Sequence, residues 1–227
     1  MQTNLMDAFD AEVLSIIGLT MRMTILSTTI STIIGVPLGL WLDRASFPGK
    51  NIFVIINRTL MASPPVVVGL IVFMIFMRNG PLGFMGLLFT FEAMVIAQVI
   101  LLTPIICGIV YTASHRNSER IRVFAVTMGA NRLQTQFLLI KELSNEIFFA
   151  IIAGFGRAMS EVGAIMIVGG NIRHHTRTMT TSISLLRNRG ELEQAILLGI
   201  ILMAIALMVQ IAADFLRKRE QRTDENY

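Results

Sequence analysis

Residues 118–140 have the sequence SERIRVFAVTMGANRLQTQFLLI, an amphipathic segment that separates two long apolar runs. Four of its apolar residues recur at helical spacing and form one stripe: Ile121, Phe124, Ala125 and Met128. Gly129, Ala130 and Asn131 then interrupt the first helix and begin a second one. An apolar stripe on a short helix needs a cover, and the pattern leaves two possibilities, a protein partner or the membrane surface.

The amphipathic segment lies within a basic loop, residues 112–145, of an otherwise apolar chain. A membrane span needs about 20 apolar residues, because the hydrocarbon core is about 30 Å thick and a helix rises about 1.5 Å per residue. Five runs meet this requirement: 14–41, 52–77, 87–111, 147–169 and 195–215. The sequence therefore predicts an all-α integral membrane protein with five transmembrane helices. We expect residues 1–227 to form a single transmembrane domain with a disordered tail from about residue 216.

Composition excludes the soluble classes. Of the 227 residues, 54% are hydrophobic and 15% are charged, and the mean hydropathy is +0.68, so lipid must be the solvent for much of the chain. The net charge of +4 does not indicate nucleic-acid binding, because the basic residues fall mainly in loops between apolar runs. The acidic start of the chain has no basic region, so we expect the first apolar run to remain as a membrane anchor.

The distribution of Lys and Arg over the loops predicts the orientation. With the N-terminus outside, eleven of these residues lie in the cytoplasm: Arg44, Lys50, Arg116, Arg120, Arg122, Arg132, Lys141, Arg217, Lys218, Arg219 and Arg222. Five lie outside: Arg78, Arg173, Arg177, Arg187 and Arg189. This bias favours an N-out, C-in topology. The four arginines of the last outer loop either reflect the tolerance of a late loop for positive charge or attract an anion.

Motifs for ATP hydrolysis and covalent catalysis are missing from the sequence. It has no phosphate-binding loop, since Gly49-Lys50 lacks the preceding glycine and the following hydroxyl, and it has no nucleophile elbow and no HExxH motif. His174 and His175 are adjacent and diverge on most backbones, so a metal site is not expected. We expect no cofactor, no catalytic residue and no enzymatic activity in this chain. Uphill transport would then need the ATPase of a partner or an ion gradient.

The pattern A-x-x-x-G-A, Ala125 to Ala130, followed by a second apolar helix resembles the coupling motif of ABC importer permeases. The resemblance implies that a short cytoplasmic helix docks into a groove on the ATPase. It assigns this role to Val123, Phe124, Ala125, Gly129 and Ala130. Two positions depart from the family pattern, because the usual Glu is Val123 and the usual trailing Leu-Pro is Lys141-Glu142.

Two further stretches resemble permeases for molybdate and tungstate. Residues 61–70 read MASPPVVVGL, and residues 156–164 read GRAMSEVGA. The EVGA of 161–164 and the GGNIR of 169–173 are most similar to the tungstate type. The resemblance implies a MetI-like core in the bacterial or archaeal cytoplasmic membrane and import of an oxyanion, with tungstate favoured over molybdate. It also implies three partners: a second copy of the chain, a cytoplasmic ATPase dimer that holds ATP and Mg²⁺, and a periplasmic or lipid-anchored binding protein.

Prolines inside predicted spans mark candidate pathway residues. Pro64 and Pro65, next to Ser63, remove two backbone donors from the second span, and Thr103-Pro104 interrupts the third in the same way. Irregular backbone in lipid is tolerated only against protein or a water-filled cavity. Both sites are therefore either walls or gates of a pathway or structural kinks.

Arg157 and Glu161 are two charges in the fourth predicted span, with Ser160 beside them. They lie one helical turn apart and can pair, and each charge left unpaired would cost roughly 2.5–3.5 kcal/mol. The pair either supports a dimer or lies in the pathway or gate. A secondary carrier or channel that uses the two residues as its ion site is the alternative function, although a carrier does not need the coupling loop. A membrane-embedded assembly factor is a third possibility.

Small residues in the same spans favour close helix packing. Ala150, Gly154 and Ala158 form a small-xxx-small stripe, and Gly35-x-Pro37-x-Gly39 has a similar character in the first span. Five helices are too few to enclose a pore comfortably, so we expect a homodimer with the pathway on its two-fold axis.

Overall fold

The computed structural model describes residues 2–224, and within this range it describes side chains for 12–131 and 133–215. The described residues form nine α-helices and a single 3₁₀ turn, Gly83–Met85, with no strand among them. The helices are α1 (Gln2–Arg44), α2 (Lys50–Met61), α3 (Pro65–Phe76), α4 (Phe91–Thr127), α5 (Arg132–Glu142), α6 (Ser144–Met159), α7 (Gly163–Gly169), α8 (Met179–Arg189) and α9 (Leu192–Asp224). The all-α prediction is confirmed.

Three segments are long and apolar enough to cross a membrane as single helices: Glu12–Arg44, Phe91–Thr127 and Leu192–Phe215. Two pairs of shorter helices are each long and apolar enough when taken together, but both pairs are bent, α2 with α3 by 101° and α6 with α7 by 57°. The described residues thus offer three spans, or five if each bent pair crosses once. Five spans with an outside N-terminus remain a prediction.

Tandem prolines explain the sharper bend. Pro64 is extended and Pro65 is the first residue of α3, where its missing N–H costs no hydrogen bond. The predicted kink is therefore a complete break between two helices. Pro104 behaves differently and stays inside α4, while the hydroxyl of Thr103 donates to the carbonyl of Val99 at 2.7 Å.

Glycines of α1 let it approach α4 closely. A Cβ added at Gly39 would lie 2.7 Å from the carbonyl oxygen of Cys107, and one at Gly35 would lie 3.1 Å from Ile106. The predicted stripe Ala150, Gly154 and Ala158 is buried, and Gly154 faces Ile106. These small residues therefore pack helices of one chain against each other, as the sequence predicted.

Two segments that were predicted as irregular are helical. The predicted outer loop, residues 170–194, contains α8, whose first residues are buried and whose N-terminus has a capping box between Thr178 and Thr181. Its low hydropathy hid it from a search for apolar runs. The predicted disordered tail is helical as far as Asp224, in keeping with its Arg, Lys, Glu and Gln content, and residues 225–227 lie outside the described residues.

Candidate functional site

The amphipathic segment forms a helix, a tight turn and a second helix. After the last residue of α4 the chain reverses at Gly129, whose φ of +76° suits a residue without a side chain. The amide of Ala130 donates to the carbonyl of Ala125 at 2.9 Å, which satisfies the end of α4. Asn131 then caps α5 and forms a capping box with Gln134. We call residues 123–137 the coupling turn.

The coupling turn exposes an apolar surface. Six of its apolar side chains are more than half exposed: Val123, Phe124, Val126, Met128, Leu133 and Phe137. The predicted stripe is wrong in part, because Ala125 is only 1% exposed and Ile121 packs against the core, while Phe124 and Met128 point outward. Of the predicted coupling residues, Val123 and Phe124 thus lie on the surface, Ala125 is buried, and Gly129 and Ala130 form the turn.

A buried carboxylate joins the end of α1 to the part of α4 that precedes the coupling turn. The side chain of Asp43 is 3% exposed and accepts a hydrogen bond from the hydroxyl of Ser114 at 2.8 Å and one from Nδ1 of His115 at 3.0 Å. The guanidinium of Arg122 lies 3.5 Å from the same carboxylate, and Lys50 donates to the backbone carbonyl of Asp43 at 2.8 Å. Asp43 was not among the predicted site residues, although an acid at the end of an apolar span was a signal.

The two helix breaks lie against each other. A Cβ added at Gly163, in the first turn of α7, would be 2.8 Å from Cγ2 of Val66, in the first turn of α3. One turn further, a Cβ at Gly69 would be 2.6 Å from Cα of Ala164. The structure thus brings the Pro64-Pro65 break and the Ser160–Glu161 break together, which the sequence did not predict.

Glu161 occupies the break between α6 and α7. Its side chain is 4% exposed, one carboxylate oxygen lies 3.6 Å from the guanidinium of Arg157, and the other accepts from the amide of Ala164 at 3.1 Å. The hydroxyl of Thr180 donates to the backbone carbonyl of Glu161 at 2.8 Å. The predicted ion pair is confirmed, but the carboxylate also caps α7.

The remaining pathway candidates have local roles. The hydroxyl of Ser63 donates to the carbonyl of Leu60 at 2.8 Å, and that of Ser160 donates to the carbonyl of Arg157 at 3.0 Å. Both hydroxyls therefore satisfy carbonyls at the ends of broken helices.

Pro104 is joined to α2 through Asn57, whose side-chain amide donates to the Pro104 carbonyl at 3.1 Å. The buried amide of Gln98 connects α4 to two other helices. Its oxygen accepts from Ser27 at 2.6 Å, and its nitrogen donates to the carbonyl of Ala158 at 2.9 Å. Sequence reasoning missed both amides, although polar residues inside apolar runs were their signal.

Comparison with known proteins identifies the family. A family model described as "binding-protein-dependent transport system inner membrane component" matches residues 35–222. The chain belongs to this family.

Curated relatives span most of this chain. It is 42% identical over 205 residues, 90% of each chain, to the tungstate uptake system permease protein TupB of Peptoclostridium acidaminophilum. It is 35% identical over 210 residues, again 90% of each chain, to a probable anion ABC transporter permease protein of Haloferax volcanii. It is 30% identical over 178 residues, 75% of this chain and 79% of the relative, to the molybdenum transport system permease protein ModB of Azotobacter vinelandii.

This chain is therefore a multi-pass permease subunit of an ABC transporter in the cytoplasmic membrane. Such systems contain a separate ATPase and a substrate-binding protein, and the permease subunit itself is not an enzyme. The family assignment supports the importer hypothesis and not the secondary carrier or channel.

Two charged residues of the permease lie within predicted spans and were overlooked in the sequence analysis. Arg22 on α1 and Arg58 on α2 are both exposed, and neither forms an ion pair among the residues that the structure describes. A cation inside a span is costly unless it faces water, a partner or the interface. By contrast, Arg173 and Arg177, in the connection between α7 and α8, both pair with Glu12 on α1.

Proposed function

We propose that the permease imports tungstate and forms its translocation pathway as a homodimer. The observation that carries this proposal is the 42% identity to a tungstate uptake permease over 90% of both chains. That length includes both bent helix pairs and the coupling turn, so the similarity is not confined to one motif. The molybdenum permease is less similar, at 30% identity, which favours tungstate over molybdate.

In this proposal the transport cycle is driven from the coupling turn. A periplasmic or lipid-anchored binding protein delivers the oxyanion to the outer side, and a cytoplasmic ATPase dimer holds ATP and Mg²⁺ and docks on the exposed apolar surface of each turn. ATP binding opens the translocation pathway of the homodimer to the outer side, and ATP hydrolysis returns the homodimer to its starting conformation. The adjacent breaks at Pro64-Pro65 and Ser160–Glu161 form the gate, because non-helical backbone at membrane depth is tolerated only against protein or a water-filled cavity.

The first test reconstitutes the permease in liposomes with its ATPase. Binding protein loaded with tungstate, molybdate or sulfate is added in turn, and ATP hydrolysis and uptake are measured. We expect the tungstate-loaded protein to stimulate hydrolysis most strongly and to drive uptake that stops when ATP is depleted. Stronger stimulation by molybdate or sulfate would overturn the substrate, and uptake that persists without ATP would overturn the mechanism.

The docking role of the coupling turn is tested at Met128, whose side chain is 73% exposed at the end of α4. Met128→Asp places a charge in the apolar surface and is expected to weaken ATPase binding by about tenfold or more, since desolvating a charge at a contact costs at least about 1.4 kcal/mol. The ATPase that co-purifies with the permease is the measurement.

Met128→Leu is the matched control, because it keeps an apolar side chain of similar volume at the same position. It should retain the ATPase. Equal retention of the ATPase by the Asp and Leu variants would show that this surface is not the docking site.

A further inference from the structure

A cavity of about 450 Å³ lies between α1 and the loop that connects α7 to α8, on the predicted outer side. From α1 it is lined by Ser15, Gly18, Leu19 and Arg22, which recur at i, i+3, i+4 and i+7 and so share one face of the helix. Gly18 faces open space, since an added Cβ would have no neighbour within 4 Å. The loop contributes His174 and Arg177. Ile16 completes the lining, which thus combines apolar side chains with cationic and polar ones and includes no carboxylate among the side chains that the structure describes.

Two arginines that line this cavity have N–H donors without a hydrogen-bond acceptor among the described residues. Nη1 of Arg177 donates to Glu12 at 3.0 Å, but its Nε is buried and has no hydrogen-bond partner among the described residues. Arg22 forms neither a hydrogen bond nor an ion pair with any side chain that the structure describes. A buried donor without an acceptor costs about 1–3 kcal/mol, so a shift of the Arg177 guanidinium that brings this donor to an acceptor in the cavity would stabilise the site.

Counted over the described side chains of Glu12, Arg22, Arg173 and Arg177, the charges leave a positive excess of two. Glu12 is one carboxylate among three guanidinium groups, because it pairs with both Arg173 and Arg177 while Arg22 stays unpaired. Glu12 does not line the cavity, and its carboxylate holds the guanidinium of Arg177 in place through a hydrogen bond of 3.0 Å. A dianion would balance the remaining charge.

The loop is held in a fixed shape. The carbonyl of Ile172 accepts from the amides of His175, Thr176 and Arg177 at 3.0–3.1 Å, and the buried hydroxyl of Thr176 donates to the carbonyl of Gly169. His174 has a φ of +63°, a left-handed conformation that is uncommon for a side-chain-bearing residue. In this conformation the His174 side chain lines the cavity.

From these observations we infer that Arg22, His174 and Arg177 form a binding site for a tetrahedral oxyanion at the outer entrance of the permease. The inference deepens the proposed function and rests on it for the identity of the anion as tungstate. Guanidinium groups suit this ligand because they present several N–H donors in a fixed plane and stay charged at all working pH values. The phosphate of a lipid headgroup has the same chemistry, so the experiment distinguishes the two sources.

The experiment measures tungstate binding to the purified permease–ATPase complex in a phosphate-free maltoside detergent by equilibrium dialysis. Arg22→Gln is expected to weaken binding by about tenfold or more, because it removes a charge-assisted hydrogen bond. Arg22→Lys keeps the charge and is expected to recover part of the affinity. Arg78→Gln is the matched control, an outer arginine in the α3–α4 connection that does not line the cavity, and it should bind tungstate like the wild type.

The proposed site is wrong if Arg22→Gln binds tungstate as tightly as the wild type, or if the wild type binds no tungstate. Tungstate uptake by the wild type in liposomes is measured separately. A wild type that imports no tungstate contradicts the proposed function, whereas the dialysis result tests only the binding site. Phospholipid that co-purifies with the complex is also quantified. Two results together would identify the ligand as a lipid phosphate: Arg22→Gln co-purifies with less phospholipid, and tungstate does not displace phospholipid from the wild type. The site would then not bind the transported oxyanion.

Discussion

Replacing Glu161 with alanine is expected to destabilise the permease and abolish uptake. The substitution leaves the guanidinium of Arg157 without its carboxylate at 3.6 Å and the amide of Ala164 without its acceptor at 3.1 Å. Removing one partner of a buried ion pair costs about 3–5 kcal/mol, and the 38% exposure of the Arg157 side chain places this pair at the low end of that range. The measurements are the fraction of monodisperse protein after heating in detergent and tungstate uptake in liposomes.

Glutamine at the same position separates the two contacts. Glu161→Gln keeps an oxygen that can accept from the amide of Ala164 but removes the charge that pairs with Arg157. We expect a smaller loss of stability than with alanine, because only the ion pair is broken. The double variant Arg157→Gln, Glu161→Gln removes both charges and should recover most of that loss, as expected for two residues that interact directly.

The double variant also separates a supporting role from a role in the gate. If the pair only joins α6 to α7, restored stability should bring restored uptake. A double variant that is stable but inactive would place the charges in the pathway instead. A double variant no more stable than Glu161→Gln alone would contradict the ion pair as a source of stability.

Local sequence patterns predicted those parts of the permease that depend on neighbouring residues. The apolar run 14–41 lies within α1, and the run 87–111 lies within α4 except for its first four residues. The glycines of α1 mark its approach to α4, and the spacing of Arg157 and Glu161 predicts their pairing. Proline chemistry also located the break before α3, since Pro64 and Pro65 cannot continue a helix.

Features that depend on distant residues could not be predicted in this way. Proline permits a bend, but it does not specify the angle of 101° between α2 and α3 or the close approach of Gly69 on α3 to Ala164 on α7. The burial of Ala125 depends on which face of α4 meets the core, and helical spacing alone does not identify that face. Asp43 is 71 residues from Ser114, so no periodicity within one helix points to their contact.

Asp43→Ala is expected to uncouple ATP hydrolysis from transport. The carboxylate joins the end of α1 to Ser114, His115 and Arg122 on the part of α4 that leads into the coupling turn. Without it, we expect movement of the turn to reach α1 less effectively, because the contact between α1 and α4 is broken and Arg122 loses its counter-charge. We expect uptake to fall by about tenfold or more, in line with breaking contacts that together exceed about 1.4 kcal/mol. ATP hydrolysis should persist, so the ratio of tungstate imported to ATP hydrolysed is the measurement.

Asp214→Ala is the matched control, since Asp214 is an exposed carboxylate on α9 at the predicted cytoplasmic side and forms no ion pair with the described side chains. It should keep the wild-type ratio. Ser114→Ala removes a single hydrogen bond to Asp43, which costs about 1 kcal/mol, and so tests the same connection in a protein that still folds. If Asp43→Ala and Ser114→Ala both import as much tungstate per ATP as the control, Asp43 supports only the local fold. In that case the motion of the coupling turn reaches the gate through α4 and α6 instead.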